Sequence, residues 1–160
     1  MSIPNQSFSE AIIRVWQQTP KKRCLQVDGQ SMWPYFKKDD HIELHIEAIN
    51  VHQLKPGDVI AFLRDNKIIV HRYIKKKRSG NQWKICERGD YLKSFRWIDA
   101  TQVIGKATGI YRKGRRIDLR IRKQVLWNRY LGGLSWLWVC LLQLKIFLKK
   151  TFTQRSDHVR

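Results

Sequence analysis

A serine hydroxyl becomes a nucleophile only where a bent, accessible loop presents it and a base can take its proton. Residues 27–34, Val27-Asp28-Gly29-Gln30-Ser31-Met32-Trp33-Pro34, have the composition of such a loop. Gly29 tolerates backbone conformations closed to other residues, and Pro34 fixes the exit. A sharp turn here exposes the Ser31 hydroxyl and aims the amides around Gly29 and Met32 at one point, as an oxyanion site requires. The base best placed to serve Ser31 is His71, inside Ile68-Ile69-Val70-His71-Arg72-Tyr73-Ile74. This run is apolar at every position before the histidine, and a lone imidazole in it needs a polar partner. A third group should hold that ring in one tautomer, and Asp90 and Asp99 are the candidates.

A second cluster, His41, Glu43, His45 and Glu47, alternates with apolar residues and shares one face of a strand. Strict alternation is also what any half-solvated strand shows, so no metal and no cofactor is expected. Cys24, Cys86 and Cys140 are widely spaced and odd in number, with no Cys-x-x-Cys pair. They read as free thiols rather than a disulfide framework or a zinc site.

The elements that must position Ser31 and His71 are short strands. From Cys24 onward the hydrophobic period is two, and runs rich in Val and Ile alternate with Gly, Asp, Asn and Pro. The expected strands are 25–27, 41–49, 58–63, 68–74, 83–87, 103–111 and 116–121. Arg64-Asp65-Asn66-Lys67 and Arg112-Lys113-Gly114-Arg115 read as hairpin turns, and Pro56-Gly57-Asp58 as a turn that opens a strand. The basic run Lys75–Arg78 reads as a solvated hairpin end. Before this body, Phe8, Ile12, Val15 and Trp16 form one helical face of a short amphipathic arm. The expected organisation is an arm over 1–24, a β domain over 25–121 and a basic, aromatic-rich helical tail over 122–160.

Gly29-x-Ser31-Met32-x-Pro34, Lys55-Pro56-Gly57-Asp58-Val59-Ile60, Val70-His71-Arg72 and Arg88-Gly89-Asp90 occur in that order over about half the chain. In order and spacing they resemble the boxes of the signal peptidase I and LexA-like serine peptidases. Bacterial signal peptidases and LexA-like repressors have a lysine base; the endoplasmic-reticulum and archaeal type has a histidine, which Val70-His71-Arg72 resembles. The resemblance implies a mainly β, single catalytic domain with Ser31 as nucleophile, His71 as general base and Asp90 as the acidic partner. It also implies cleavage of a peptide or protein precursor, bound as an extended strand with small residues before the cut. A non-catalytic module of the same shape, holding a peptide or leader, is the alternative.

Length and charge set the surroundings. The chain has 160 residues, one domain's worth, and 42% hydrophobic content, which excludes wholesale disorder. Lys and Arg number 32 against 13 Asp and Glu, a net charge of +19, so an anionic partner or surface is expected. Residues 111–160 alone hold thirteen basic and two acidic side chains. There the segment 125–150 carries many Trp, Tyr and Leu residues between basic flanks, yet its uncharged stretch, residues 130–144, is shorter than the roughly 20 residues of a spanning helix. A helix lying on or partly in a membrane surface is expected, ahead of packing on the body and well ahead of nucleic-acid binding. The N-terminal residues lack the pattern of a cleaved secretory leader, so membrane association without one is expected.

Overall fold

The computed structural model describes Val15, residues 21–46 and residues 50–156. The arm expected over 1–24 lies outside these residues except for Val15 and residues 21–24, and the latter belong to the first strand of the sheet, not to an arm, because they pair with the strand that starts at His41. Eight strands form one antiparallel sheet: β1 (Lys21–Gln26), β2 (His41–Ile46), β3 (Val59–Arg64), β4 (Lys67–Ser79), β5 (Gln82–Arg88), β6 (Arg96–Asp99), β7 (Val103–Arg112) and β8 (Arg115–Asp118). Their order is β1-β2-β7-β3-β4-β5-β6, with β8 folding back on β7. One helix, Arg122–Ser156, follows. The chain is thus mainly β with a C-terminal helix, as expected; β6 is the strand that was not anticipated.

Both expected hairpin turns form. Asp65 and Asn66 have φ of 50° and 59°, and Lys113 and Gly114 have 48° and 73°, the doubly left-handed pattern whose twist matches that of paired strands. The Lys75–Arg78 run continues β4 toward a tip at Gly80, paired with β5, and its side chains become more exposed along the way.

β3 shows why Val59-Ile60-Ala61-Phe62 is apolar without alternation. Val59 and Ala61 point into one cluster, with Met32, Phe36, Leu44 and Ile104, whereas Ile60 and Phe62 point into a second, with Tyr73, Ile85, Ile98 and Val103. A strand buried on both faces has no polar side to show. His71 pairs with Ile60, so its ring enters the second cluster, where the Phe62 ring meets it edge-on at 5.9 Å.

The C-terminal helix lies on the body through its polar and small residues. Asn128 accepts a hydrogen bond from Arg72, Ser135 from Arg88 at 3.0 Å and Gln143 from Lys75 at 3.0 Å, while Val139 packs on Ile74 and Cys86. Gly132 rides over Gly57, and a Cβ at 132 would stand 2.5 Å from the Gly57 Cα. Among the described residues no helix is long and apolar enough to cross a membrane.

Gly132→Leu should therefore lift the helix and lower unfolding stability by about 2 kcal/mol in urea titrations. Unchanged stability would show that the helix repacks freely. A second expectation concerns Glu43, which lies buried against Arg116. Its hydrogen bonds from Arg116 and Thr108 hold its pKa at about 2, below the usual 4.5. A carboxylate depressed on folding stabilises above its unfolded pKa and loses that stabilisation as pH falls through the folded one. Stability should drop between pH 4.5 and 2, by about 1 kcal/mol from this group after solvent screening. Glu43→Gln should flatten that part of the profile.

Candidate active site

Ser31 stands in a loop, closed at its base by hydrogen bonds from the Val27 amide to the Asp40 carbonyl at 2.8 Å and from the Asp39 amide to the Val27 carbonyl at 3.3 Å. Asp40 is clamped by Arg112 through two contacts of 2.9 and 2.6 Å. Met32 and Phe36 anchor the loop in the first core cluster. Trp33 remains exposed and meets the Tyr91 ring edge-on at 5.8 Å. The left-handed residue of the loop is Asp39, with φ of 68°. The expectation for Gly29 is corrected: its φ lies outside the left-handed region, and a Cβ there would meet nothing within 4 Å.

His71 Nε2 lies 2.9 Å from Ser31 Oγ, and His71 Nδ1 lies 2.5 Å from Glu87 Oε2. The Glu87 carboxylate accepts only, so Nδ1 carries the proton and Nε2 is left to accept from the serine hydroxyl. The other Glu87 oxygen accepts from Arg64 at 3.2 Å. His71 and Glu87 are 3% and 1% exposed, so these partners replace water around both groups.

Asp90 and Asp99 are not the partners of His71. Asp90 takes both ends of the Arg72 guanidinium, at 2.7 and 2.6 Å, and Asp99 pairs with Lys84 at 2.7 Å on the adjoining strand. Arg72 is fully buried, and its remaining Nη1 donates to the Gly57 carbonyl at 2.8 Å and to Asn128 at 3.2 Å. Asp90 still acts on the site through its own turn: the Tyr91 amide donates to the Ser31 carbonyl at 3.0 Å, and a Cβ on Gly89 would stand 2.5 Å from that same oxygen. The Arg88-Gly89-Asp90 box positions the serine backbone.

Glu87 and Arg64 were not found from the sequence. Arg64 is the charged end of the apolar strand β3 and Glu87 the acid next to last in the mixed strand β5, which is the signal that was available. The decisive fact is register: Glu87 pairs with Tyr73, and Tyr73 shares a face with His71, because the ladder shifts by one residue at Ile74.

Thiol chemistry is disfavoured at Cys86. Burial pushes the Cys86 thiol up to about 12, far from a reactive thiolate. A cavity of about 900 Å³ lies beside the serine loop, between Pro34, Tyr35 and Asp90 on one side and Trp127, Tyr130 and Leu134 of the helix on the other. Neither family models nor curated proteins yield a match to this chain.

The His71–Glu87 contact predicts a strongly deshielded Nδ1 proton in NMR spectra. It should move far upfield in Glu87→Gln and persist in Asp90→Asn. A signal indifferent to Glu87 would break the assignment.

Proposed function

We propose that the chain is a serine endopeptidase that cleaves a peptide or protein precursor at or near a membrane surface. The observation that carries this reading is the continuous chain Ser31 Oγ, His71 Nε2, His71 Nδ1, Glu87 Oε2, with steps of 2.9 and 2.5 Å. Nucleophile, base and orienting acid stand in the order and at the distances that serine acylation needs. A module that only holds a peptide has no need of a base within hydrogen-bond reach of the serine.

In the proposed reaction His71 Nε2 takes the Ser31 proton as Oγ attacks the scissile carbonyl carbon. Glu87 stabilises the imidazolium that forms. Amides of the loop around Gly29 and Met32 receive the developing oxyanion. His71 then protonates the departing amine, leaving an ester on Ser31. Water, deprotonated by the same nitrogen, attacks the ester and restores the serine. β1 is an edge strand that leads into the serine loop, and it offers an extended substrate a template for strand addition. Small residues before the cut belong to the same reading, carried by the family resemblance. Asp90 is assigned a positioning role through Arg72 and the Tyr91 amide.

A fluorophosphonate probe should label the purified protein once, at Ser31, and label Ser31→Ala not at all, as read by intact mass. Glu87→Gln should slow labelling by about 10²- to 10⁴-fold. Labelling that survives in Ser31→Ala would end this proposal.

A further inference from the structure

On an ordinary surface helix the apolar side faces the body and the polar side faces water. The C-terminal helix does the reverse. Asn128, Ser135 and Gln143 face inward to Arg72, Arg88 and Lys75. On the opposite side Leu137, Leu141 and Leu144 are between 52% and 54% exposed, and at helical spacing before them Leu126, Tyr130 and Leu134, 48% to 58% exposed, border the cavity beside the serine loop. A continuous apolar stripe of this length on a folded surface marks an interaction face.

We propose that this stripe is a membrane-binding face that lies in the plane of an anionic bilayer. This deepens the membrane-proximal part of the reading above, and it does not depend on the catalytic chemistry. Charge selects the occupant. From Arg122 to Ser156 the sequence holds seven basic residues and no acidic one. A second copy laid against the stripe would bring the same excess, and each chain carries +19. Anionic headgroups complement it instead, while leucines in the stripe offer nothing to a nucleic-acid backbone. Trp127 and Trp136 on the same helix are about half exposed, and indole rings favour the headgroup level. The inward hydrogen bonds hold the helix along the body from residue 128 to 143, so it lies flat. Trp127 and Tyr130 share the cavity wall with Pro34, which keeps the Ser31 loop beside the bilayer. The bond presented for cleavage is then in a segment near the membrane surface.

Flotation of the full chain with phosphatidylcholine vesicles, with and without one quarter phosphatidylglycerol, tests the proposal. Binding should be about tenfold or more stronger with the anionic lipid and should fall with salt. Leu137→Gln/Leu141→Gln/Leu144→Gln, whose side chains are exposed and line no cavity with the body, should keep the wild-type melting curve and Ser31 labelling. It should lose about a hundredfold in vesicle binding. Brominated lipids should quench tryptophan fluorescence in the wild type. Ser31→Ala should float as the wild type does, so loss of labelling and loss of binding report separately. Failure to float with anionic vesicles would overturn the proposal, as would a triple variant that floats unchanged. A stable dimer that this variant dissolves, without vesicle binding, would assign the face to a second copy.

Discussion

The guanidinium of Arg72 has no water to turn to, and the fold is arranged so that four acceptor atoms reach it. Two belong to Asp90, one is the Gly57 carbonyl and one is the Asn128 side chain. A cation buried this completely costs several kcal/mol in desolvation, offset only when geometry and hydrogen bonds are both good. Leaving the charge in place without its main partner would therefore be far worse than never having buried it. Each acceptor belongs to a different part of the molecule: Asp90 to the turn behind the serine, Gly57 to the entry of β3, Asn128 to the C-terminal helix. Because Arg72 follows His71 directly, the same strand that aims the imidazole also fixes these three segments. The helix is thus a structural part of the site, even though its other face is turned away.

Much of this was legible in residues. Ser31 and His71 follow from loop chemistry and from a polar residue in an apolar strand, and the two hairpins follow from Asp-Asn and Lys-Gly at the turns. The carboxylate that holds His71 was not legible because of one unpaired position. From the tip at Gly80 the ladder pairs Ser79 with Gln82 and continues evenly to Lys75 with Cys86. Continued without a break, it would set Glu87 opposite Ile74, on the face away from His71. The bulge at Ile74 shifts it opposite Tyr73, onto the histidine's face. Ile74 has a reason to leave the ladder: with Cys86 it forms the patch on which Val139 of the helix sits. The acid is placed by a tertiary contact, and no local pattern in the strand reports it.

The direction of the helix was hidden for a related reason. Asn128, Gly132, Ser135, Val139 and Gln143 do fall on one helical face, but a face of small and polar residues ordinarily faces water. Here it meets Arg72, Arg88 and Lys75, cations already on the body. Neutral oxygen acceptors suit them, and acceptors are what the three polar side chains provide. Apolar side chains facing these cations would leave donors unpaired, at about 1–3 kcal/mol each. The chemistry of the body therefore sends the leucines outward.

The aspartate box has a simple physical content once its three parts are separated. Gly89 is glycine because the Ser31 carbonyl comes within 2.5 Å of where a Cβ would be, a distance no side chain permits. Asp90 is acidic because Arg72 lies beside it, and Tyr91 contributes only its amide, donated to that same carbonyl. All three act on the backbone of the serine loop, and the imidazole is left to Glu87. The division has a consequence for precision. Ser31 Oγ and His71 Nε2 come from a loop and a strand that are far apart in sequence, and a hydroxyl on a loose loop would not hold a 2.9 Å contact. The loop is fixed at its base by Val27 and Asp40 and at its summit by Gly89 and Tyr91, so the serine is braced on both sides. Glu87 braces the ring in the same way, and is itself held by Arg64. Ser31 and His71 each owe their position to a charged pair, Arg72 with Asp90 for one and Arg64 with Glu87 for the other. The alternation of Arg64, His71, Arg72 and Glu87 between two faces of one sheet keeps the two pairs from competing for the same acid.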